Sequence, residues 1–115
     1  MQWHNDSLVV SATHNTAVVT VTGDLDLSAR QSAEQVAEQV RAMEVPNVLV
    51  DLRDMGFMDS TGAAIVIGLA HRCRNEGGSA RLCGASERHL FLLDVRGGLD
   101  LFEVDHDGFY PEDGE

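Results

Sequence analysis

The segment from Phe57 to Gly62 contains a serine that could accept a phosphate. Ser60 and Thr61 precede an apolar run at 63–70, which places both hydroxyls at the start of a predicted helix. The first turn of a helix has free backbone N–H groups and the positive end of the helix dipole, so a phosphate is tolerated there. A phosphate adds about −1.5 to −2 charges, and among nearby carboxylates it would repel an acidic partner surface or disturb a tight apolar contact. Ser60 is therefore a candidate on/off switch.

The same residues have a simpler interpretation. Serine and aspartate are common helix N-caps, because their side chains accept a hydrogen bond from the first turn. Either Asp59 or Ser60 could be an ordinary cap, and residue chemistry alone favours that role. The two interpretations are compatible, since a phosphoacceptor can also lie within a cap.

Two further acids, Asp24 and Asp26, follow the second predicted strand and could bind a metal ion as a pair. This pair suggests a rival, a receiver-like domain in which carboxylates hold Mg²⁺ and Asp51 or Asp54 accepts the phosphate. Receiver domains also need a lysine near the phosphate, and this chain contains no lysine. The acid pair also follows a hairpin rather than an N-terminal parallel strand, so the rival is disfavoured.

A hydrolase is less favoured still. Ser60 lies in Asp-Ser-Thr-Gly rather than in a Gly-x-Ser-x-Gly elbow, and of the five histidines only His89 is even a weak candidate for a general base. The histidines show no metal-ligand spacing, and two cysteines are too few for a disulfide framework. We therefore expect no enzymatic activity, no metal and no cofactor, with Cys73 and Cys83 reduced and Cys83 buried in a strand.

Charge and composition restrict the partners. The chain has 115 residues and a formal net charge of −11, which argues against nucleic acid and against an anionic membrane surface. No apolar run reaches the roughly 18 residues of a membrane span. Residues 1–6 lack the basic start and apolar stretch of a signal peptide, so we expect a cytoplasmic protein. The absence of lysine excludes a P-loop and Schiff-base chemistry.

Hydrophobic periodicity predicts an α/β fold. Three helices are expected: one capped by Ser28, with Gln31 completing a capping box, that runs to about Met43; one that begins near Asp59 or Ser60 and stops at Gly77; and one capped by Ser86 that runs to about residue 95. Residues 53–58 are predicted to form a loop. The order β-β-α-β-α-β-α-β indicates a mixed, mostly parallel sheet of four to five strands with the helices mainly on one face. The strands are predicted at 8–13, 17–22, 48–52, 80–83 and 101–104.

The carboxyl ends of parallel strands are where ligands collect in open α/β sheets. Three predicted loops lie at this edge, at 23–27, 53–60 and 84–86. They bring together the polar residues Asp24, Asp26, Asp54, Asp59, Ser60, Thr61 and Ser86.

At these residues the sequence resembles the anti-sigma-factor antagonists of the STAS domain family. The segment 21–26 resembles the family's Gly-Glu-Leu-Asp turn, with Asp24 in place of glutamate. The segments 48–52 and 57–62 resemble its central strand and phosphorylation loop, and 77–82 resembles the next turn and strand. The resemblance extends over roughly residues 8–104. The chain length fits a single domain, so we expect one STAS-like domain over 1–115, with an ordered core at about 7–104 and a tail at 105–115 that frays because it is acidic and contains proline and glycine.

The resemblance also implies a mode of action. The unphosphorylated protein would bind an anti-sigma factor that is also a serine kinase, and so release a sigma factor. The kinase would phosphorylate Ser60 and the complex would separate, until a PPM-type serine phosphatase restored the free serine. ATP and Mg²⁺ belong to the kinase in this scheme. The alternative within the family is a scaffold or accessory subunit of a larger signalling or transport assembly that is not switched at Ser60.

Site residues follow from matching the family pattern position by position. Ser60 is the expected phosphoacceptor, and Thr61, which stands where the family commonly has serine, is a minor candidate. The expected partner-binding residues are Gly23, Asp24, Leu25, Asp26, Met58, Asp59, Ser60, Thr61 and Gly62.

Overall fold

The structure is a computed structural model that describes residues 2–4, 8–25 and 30–105. Within these residues the chain forms six strands, three α-helices and one short 3₁₀ helix. The strands are β1 (Gln2–His4), β2 (Leu8–Ala12), β3 (Thr16–Leu25), β4 (Asn47–Met58), β5 (Ala80–Cys83) and β6 (Glu103–Asp105). The helices are α1 (Arg30–Met43), α2 (Ser60–Asn75) and α3 (Glu87–Val95), with the 3₁₀ turn at Leu99–Leu101.

The strands form one sheet in the order β1-β2-β3-β4-β5-β6. The first two pairings are antiparallel, and the three pairings from β3 to β6 are parallel. The mixed, mostly parallel sheet predicted from the sequence is therefore confirmed. Strand β1 is an addition, since its three residues show no strand pattern of their own.

The helices pack on one face of this sheet. Alternate residues of β4, namely Val48, Val50 and Leu52, point to that face and join one core with residues of all three helices. The opposite face has a small separate cluster of Val18 and Leu49 with Cys83. Full burial of each aliphatic side chain is worth about 1.5–3 kcal/mol, so this one-sided core holds the helix layer in place.

Strand β4 is longer than the sequence predicts. Residues 53–58, predicted to be a loop, continue the strand and remain paired with β3. The register shifts twice, between Thr20 and Thr22 and again between Gly23 and Leu25, and each shift adds one residue to β4. These shifts remove the alternation of apolar and polar residues by which a strand is detected.

The helix boundaries follow local signals closely. Helix α2 begins at Ser60 and α3 begins after Ser86, both as predicted. The predicted capping role of Ser28 lies outside the described residues, as does the acidic tail beyond Asp105, which itself ends β6. The strand predicted at 101–104 is partly wrong, because Leu101 ends the 3₁₀ turn and the strand starts two residues later.

Candidate functional site

The site lies where β3 and β4 end side by side. In the parallel register Gly23 lies opposite Met55, and Leu25 lies opposite Met58. Asp24 belongs to the same end of β3, while Asp26 lies outside the described residues. Two stretches far apart in sequence, both predicted to bind a partner, are thus adjacent at one edge of the sheet. The core anchors this edge through Met58, which is only 6% exposed.

Asp59 is the cap of α2. Its backbone is extended, and its side-chain Oδ1 accepts a hydrogen bond from the Gly62 N–H at 2.9 Å. The first helical hydrogen bond runs from the Ala63 N–H to the Asp59 carbonyl oxygen, also at 2.9 Å. Of the two capping residues considered from the sequence, the structure selects Asp59. The Ser60 hydroxyl is therefore not required to start the helix.

Ser60 is the first residue of α2, and it is exposed. Its N–H and that of Thr61 precede the helical hydrogen-bond ladder, so both lie at the positive end of the helix dipole. A phosphate on Ser60 would gain from this end of the helix. It would also place a second negative group one residue from the Asp59 carboxylate, which already occupies the cap.

The neighbouring hydroxyl is less accessible. Thr61 is half-buried and lines a groove of about 290 Å³ between α1 and α2, together with Glu34, Ala64 and Gly68. Gly62, next in the chain, is buried. Of the two candidate acceptors, Ser60 is the more exposed.

Asp51, the acceptor considered for a receiver-like domain, is enclosed. It is 4% exposed, and its two carboxylate oxygens accept hydrogen bonds from the Arg53 Nε and Nη2 atoms at 3.1 and 3.0 Å. The Arg53 backbone N–H donates a third bond to it at 3.0 Å. Asp51 also pairs in register with Cys83, on the face of the sheet opposite the helices. It is thus separated from Ser60 by the sheet, and Asp54, further along β4, is exposed.

Comparison with known families identifies the fold. The family model described as the STAS domain matches residues 7–110 of the chain. The chain belongs to the STAS domain family. The structure also resembles that of the anti-sigma factor antagonist SpoIIAA in its unphosphorylated form, with a TM-score of 0.72 and 19% identity over 86% of this chain and 88% of that one. The phosphorylated form of SpoIIAA from Bacillus matches with a TM-score of 0.69 and 20% identity, over 86% of this chain and 91% of that one.

Two relatives of this STAS domain are similar over most of their length. The anti-sigma-B factor antagonist of Bacillus subtilis is 28% identical over 102 residues, which is 87% of this chain and 91% of the relative. The protein of the same name from Staphylococcus epidermidis is 31% identical over 86 residues, 75% of this chain and 80% of the relative.

His89 has a structural role in this STAS domain that its sequence position does not suggest. It is 6% exposed, and its Nδ1 accepts a hydrogen bond from the Ser86 N–H at 3.2 Å, while Ser86 Oγ accepts one from the His89 N–H at 3.1 Å. Its Nε2 lies 3.1 Å from the Gly56 carbonyl oxygen, to which it donates in the tautomer that satisfies both contacts. Both ring nitrogens are occupied, so His89 is not placed as a base for Ser60. A Ser-x-x-His capping box was the signal that could have predicted this.

The two thiols of the STAS domain are buried and unpaired with each other. Burial, together with the negative charge of the adjacent Asp51, raises the pKa of the Cys83 thiol to about 12. Burial also raises the pKa of Cys73, with a contribution from Glu76. Both thiols therefore hold their protons at neutral pH and are poor nucleophiles. The prediction that Cys83 is buried in a strand is confirmed.

The described residues contain neither a candidate metal site nor a candidate membrane-spanning helix. Among residues 2–4, 8–25 and 30–105, no three histidine, cysteine, aspartate or glutamate side chains come together as metal ligands would. Over the same ranges, no helix combines the length and the apolar character needed to cross a bilayer.

Proposed function

We propose that this STAS domain protein is an anti-sigma-factor antagonist that is switched off by phosphorylation of Ser60. The observation that supports this most directly is the position of Ser60: it is exposed, it starts α2, and the cap is supplied by Asp59 instead. The hydroxyl is thereby left available for modification without loss of the helix start. The relatives named anti-sigma-B factor antagonists, and the resemblance to SpoIIAA in both phosphorylation states, support the same function.

In this proposal the unphosphorylated protein binds an anti-sigma factor and releases a sigma factor for transcription. The contact surface is the shared end of β3 and β4 with the first turn of α2. It comprises Gly23, Asp24, Leu25, Asp26, Met58, Asp59, Ser60, Thr61 and Gly62.

Phosphorylation opposes this contact through charge. A phosphate adds about −1.5 to −2 charges to an exposed position beside the Asp59 carboxylate. A partner surface that closes over Ser60 must then enclose that charge or lose its close fit. Repulsion between the phosphate and the Asp59 carboxylate, and the removal of water from the phosphate, both oppose the complex. We therefore expect phosphorylation of Ser60 alone to separate it.

The catalytic steps belong to the partners. The anti-sigma factor is a serine kinase that supplies ATP and Mg²⁺, and a PPM-type serine phosphatase removes the phosphate. This chain is their substrate, a cytoplasmic binding protein that is not itself an enzyme and uses no cofactor, nucleic acid or membrane.

The test begins with phosphorylation. The protein is incubated with its cognate anti-sigma kinase and Mg-ATP, and the modified residue is located by mass spectrometry. Phosphate is expected on Ser60 and absent from Ser60→Ala, while Thr61→Ala remains a substrate. A phosphate found only elsewhere, or no phosphate at all, would contradict the proposal.

Binding provides the second arm. Ser60→Asp is expected to weaken binding to the anti-sigma factor, measured without ATP so that no phosphate is transferred. Asn75→Asp adds the same charge at the far end of α2 and is expected to leave binding unchanged. Equal binding by Ser60→Asp and wild type would contradict the switch. A large stable assembly that forms without any kinase would instead favour the scaffold alternative.

A further inference from the structure

Helix α3 presents two large apolar side chains to solvent. Phe91 is 68% exposed and Val95 is 64% exposed, and they are the exposed large hydrophobic residues among those that the structure describes. They are four residues apart, so they lie on the same face of the helix one turn apart. Single exposed hydrophobics are common on protein surfaces, but a contiguous pair beside a cavity is typical of an interaction site.

A groove adjoins this pair. It has a volume of about 440 Å³ and lies between the end of β4 and α3. Its lining is mostly apolar and includes Met58 and Phe91, with Arg88 as its exposed cation. Since Met58 is two residues before Ser60, the groove opens next to the start of α2.

The groove is held in shape by His89. This buried ring links the Ser86 N–H at the start of α3 to the Gly56 carbonyl oxygen in β4, with contacts of 3.2 and 3.1 Å. Gly56 and His89 both line the groove, so its two walls are joined directly. A cavity that is already formed costs little ordering when a side chain enters it.

We propose that this groove, with Phe91 and Val95, is the apolar half of the docking surface for the anti-sigma factor, and that it takes an apolar side chain of that protein beside an acidic one. This proposal rests on the function proposed above and extends its site from α2 to α3. Arg88 at the groove selects an acidic neighbour on the anti-sigma factor.

The occupant that we infer is the kinase and not a second copy of this chain. A self-association through Phe91 and Met58 would cover the edge that contains Ser60, and the kinase must reach that edge. If the occupant both fills the groove and contacts Ser60, a phosphate on Ser60 lies within its contact surface and therefore affects its binding. The kinase meets the second requirement, since it must contact Ser60 to modify it.

The experiment measures the affinity of the kinase that modifies Ser60, by isothermal titration calorimetry without ATP. Phe91→Ala is expected to weaken binding by roughly tenfold or more, because buried aromatic anchors contribute most of the energy of such contacts. Val95→Ala should have a smaller effect in the same direction. Asn75→Ala, a neutral truncation at the other end of α2, should bind as wild type. Since Phe91 is mostly exposed in the free protein, thermal denaturation should show that Phe91→Ala is folded and about as stable as wild type.

The outcomes separate this inference from the function that it extends. If Phe91→Ala binds as wild type while Ser60→Asp does not, α3 is outside the docking surface and the inference is overturned, but the antagonist function stands. If Ser60→Asp binds as wild type and no phosphate reaches Ser60, the proposed function fails. Light scattering that shows a wild-type dimer dispersed by Phe91→Ala, with unchanged kinase affinity, would assign the groove to a second copy and also overturn the inference.

Discussion

The division of roles between Asp59 and Ser60 can be tested through stability alone. Asp59 Oδ1 accepts the 2.9 Å hydrogen bond from the Gly62 N–H, whereas Ser60 is an exposed residue inside the helix. Loss of an N-cap side chain costs about 1 kcal/mol, within a range of about 0.5–2 kcal/mol. For a domain of this size, 1 kcal/mol lowers the melting temperature by about 4 °C. Asp59→Ala should show this loss.

Two matched variants isolate the cause. Asp59→Asn retains a capping oxygen and loses only the interaction of the charge with the helix dipole, about 0.3–1 kcal/mol, so it should be less destabilised than Asp59→Ala. Ser60→Ala should change the free energy of unfolding by less than about 0.5 kcal/mol, as exposed substitutions usually do. Urea denaturation at neutral pH measures all three. If Ser60→Ala costs as much as Asp59→Ala, the serine is part of the cap and the reasoning is refuted.

Three further predictions concern the supports of the site. Gly84→Ala should destabilise the fold by about 1–3 kcal/mol in urea denaturation, because Gly84 has φ +74 and a Cβ there would lie 2.1 Å from the Arg53 Cγ; wild-type stability would contradict this. His89→Ala should cost about 1–3 kcal/mol in thermal denaturation, because it removes a buried ring that hydrogen-bonds to the Ser86 N–H and to the Gly56 carbonyl oxygen; a loss of less than about 0.5 kcal/mol, as at an exposed site, would contradict this. Because the pKa of Cys83 is raised to about 12, the unfolded thiol ionises first, so the free energy of unfolding should fall as pH rises from about 9 through 12. Cys83→Ala should remove that part of the slope, and an unchanged slope would refute the assignment.

The sequence predicts best where the signals are local. The start of α2 and the start of α3 depend on a cap and on the residues within one turn of it, so Asp59 and Ser86 were both among the predicted caps. The alternation of apolar residues in β4 likewise indicates which face of the strand enters the core.

Features that depend on distant partners were missed. Residues 53–58 are strand only because β3 lies beside them, and two register shifts place Met55 and Met58 three residues apart in the core instead of two. Strand β1 is three residues long and exists through its pairing with β2. The hydrogen bond from His89 to Gly56 joins residues 33 positions apart, which no local pattern reports.

Within the site, the sequence predicted which residues lie together but not the role of each one. The sequence placed Asp59 and Ser60 together at a helix start and could not decide which one caps it. The choice depends on the extended backbone at Asp59, which follows from where β4 ends. The pairing of Leu25 with Met58 likewise required the parallel register.

The two extra residues of β4 fix how many residues separate the core from Ser60. Met58 is buried in the core, and Asp59 caps α2, which begins at the next residue. The chain between Leu52 and Ser60 therefore cannot change length without loss of either the burial of Met58 or the cap of α2. Deleting a single residue there would rotate every later position of α2 by about 100° around the helix axis, or else pull Met58 from its place. Homologous chains should therefore keep the number of residues in this stretch, so that an insertion or deletion there would mark a family member that has given up the serine switch.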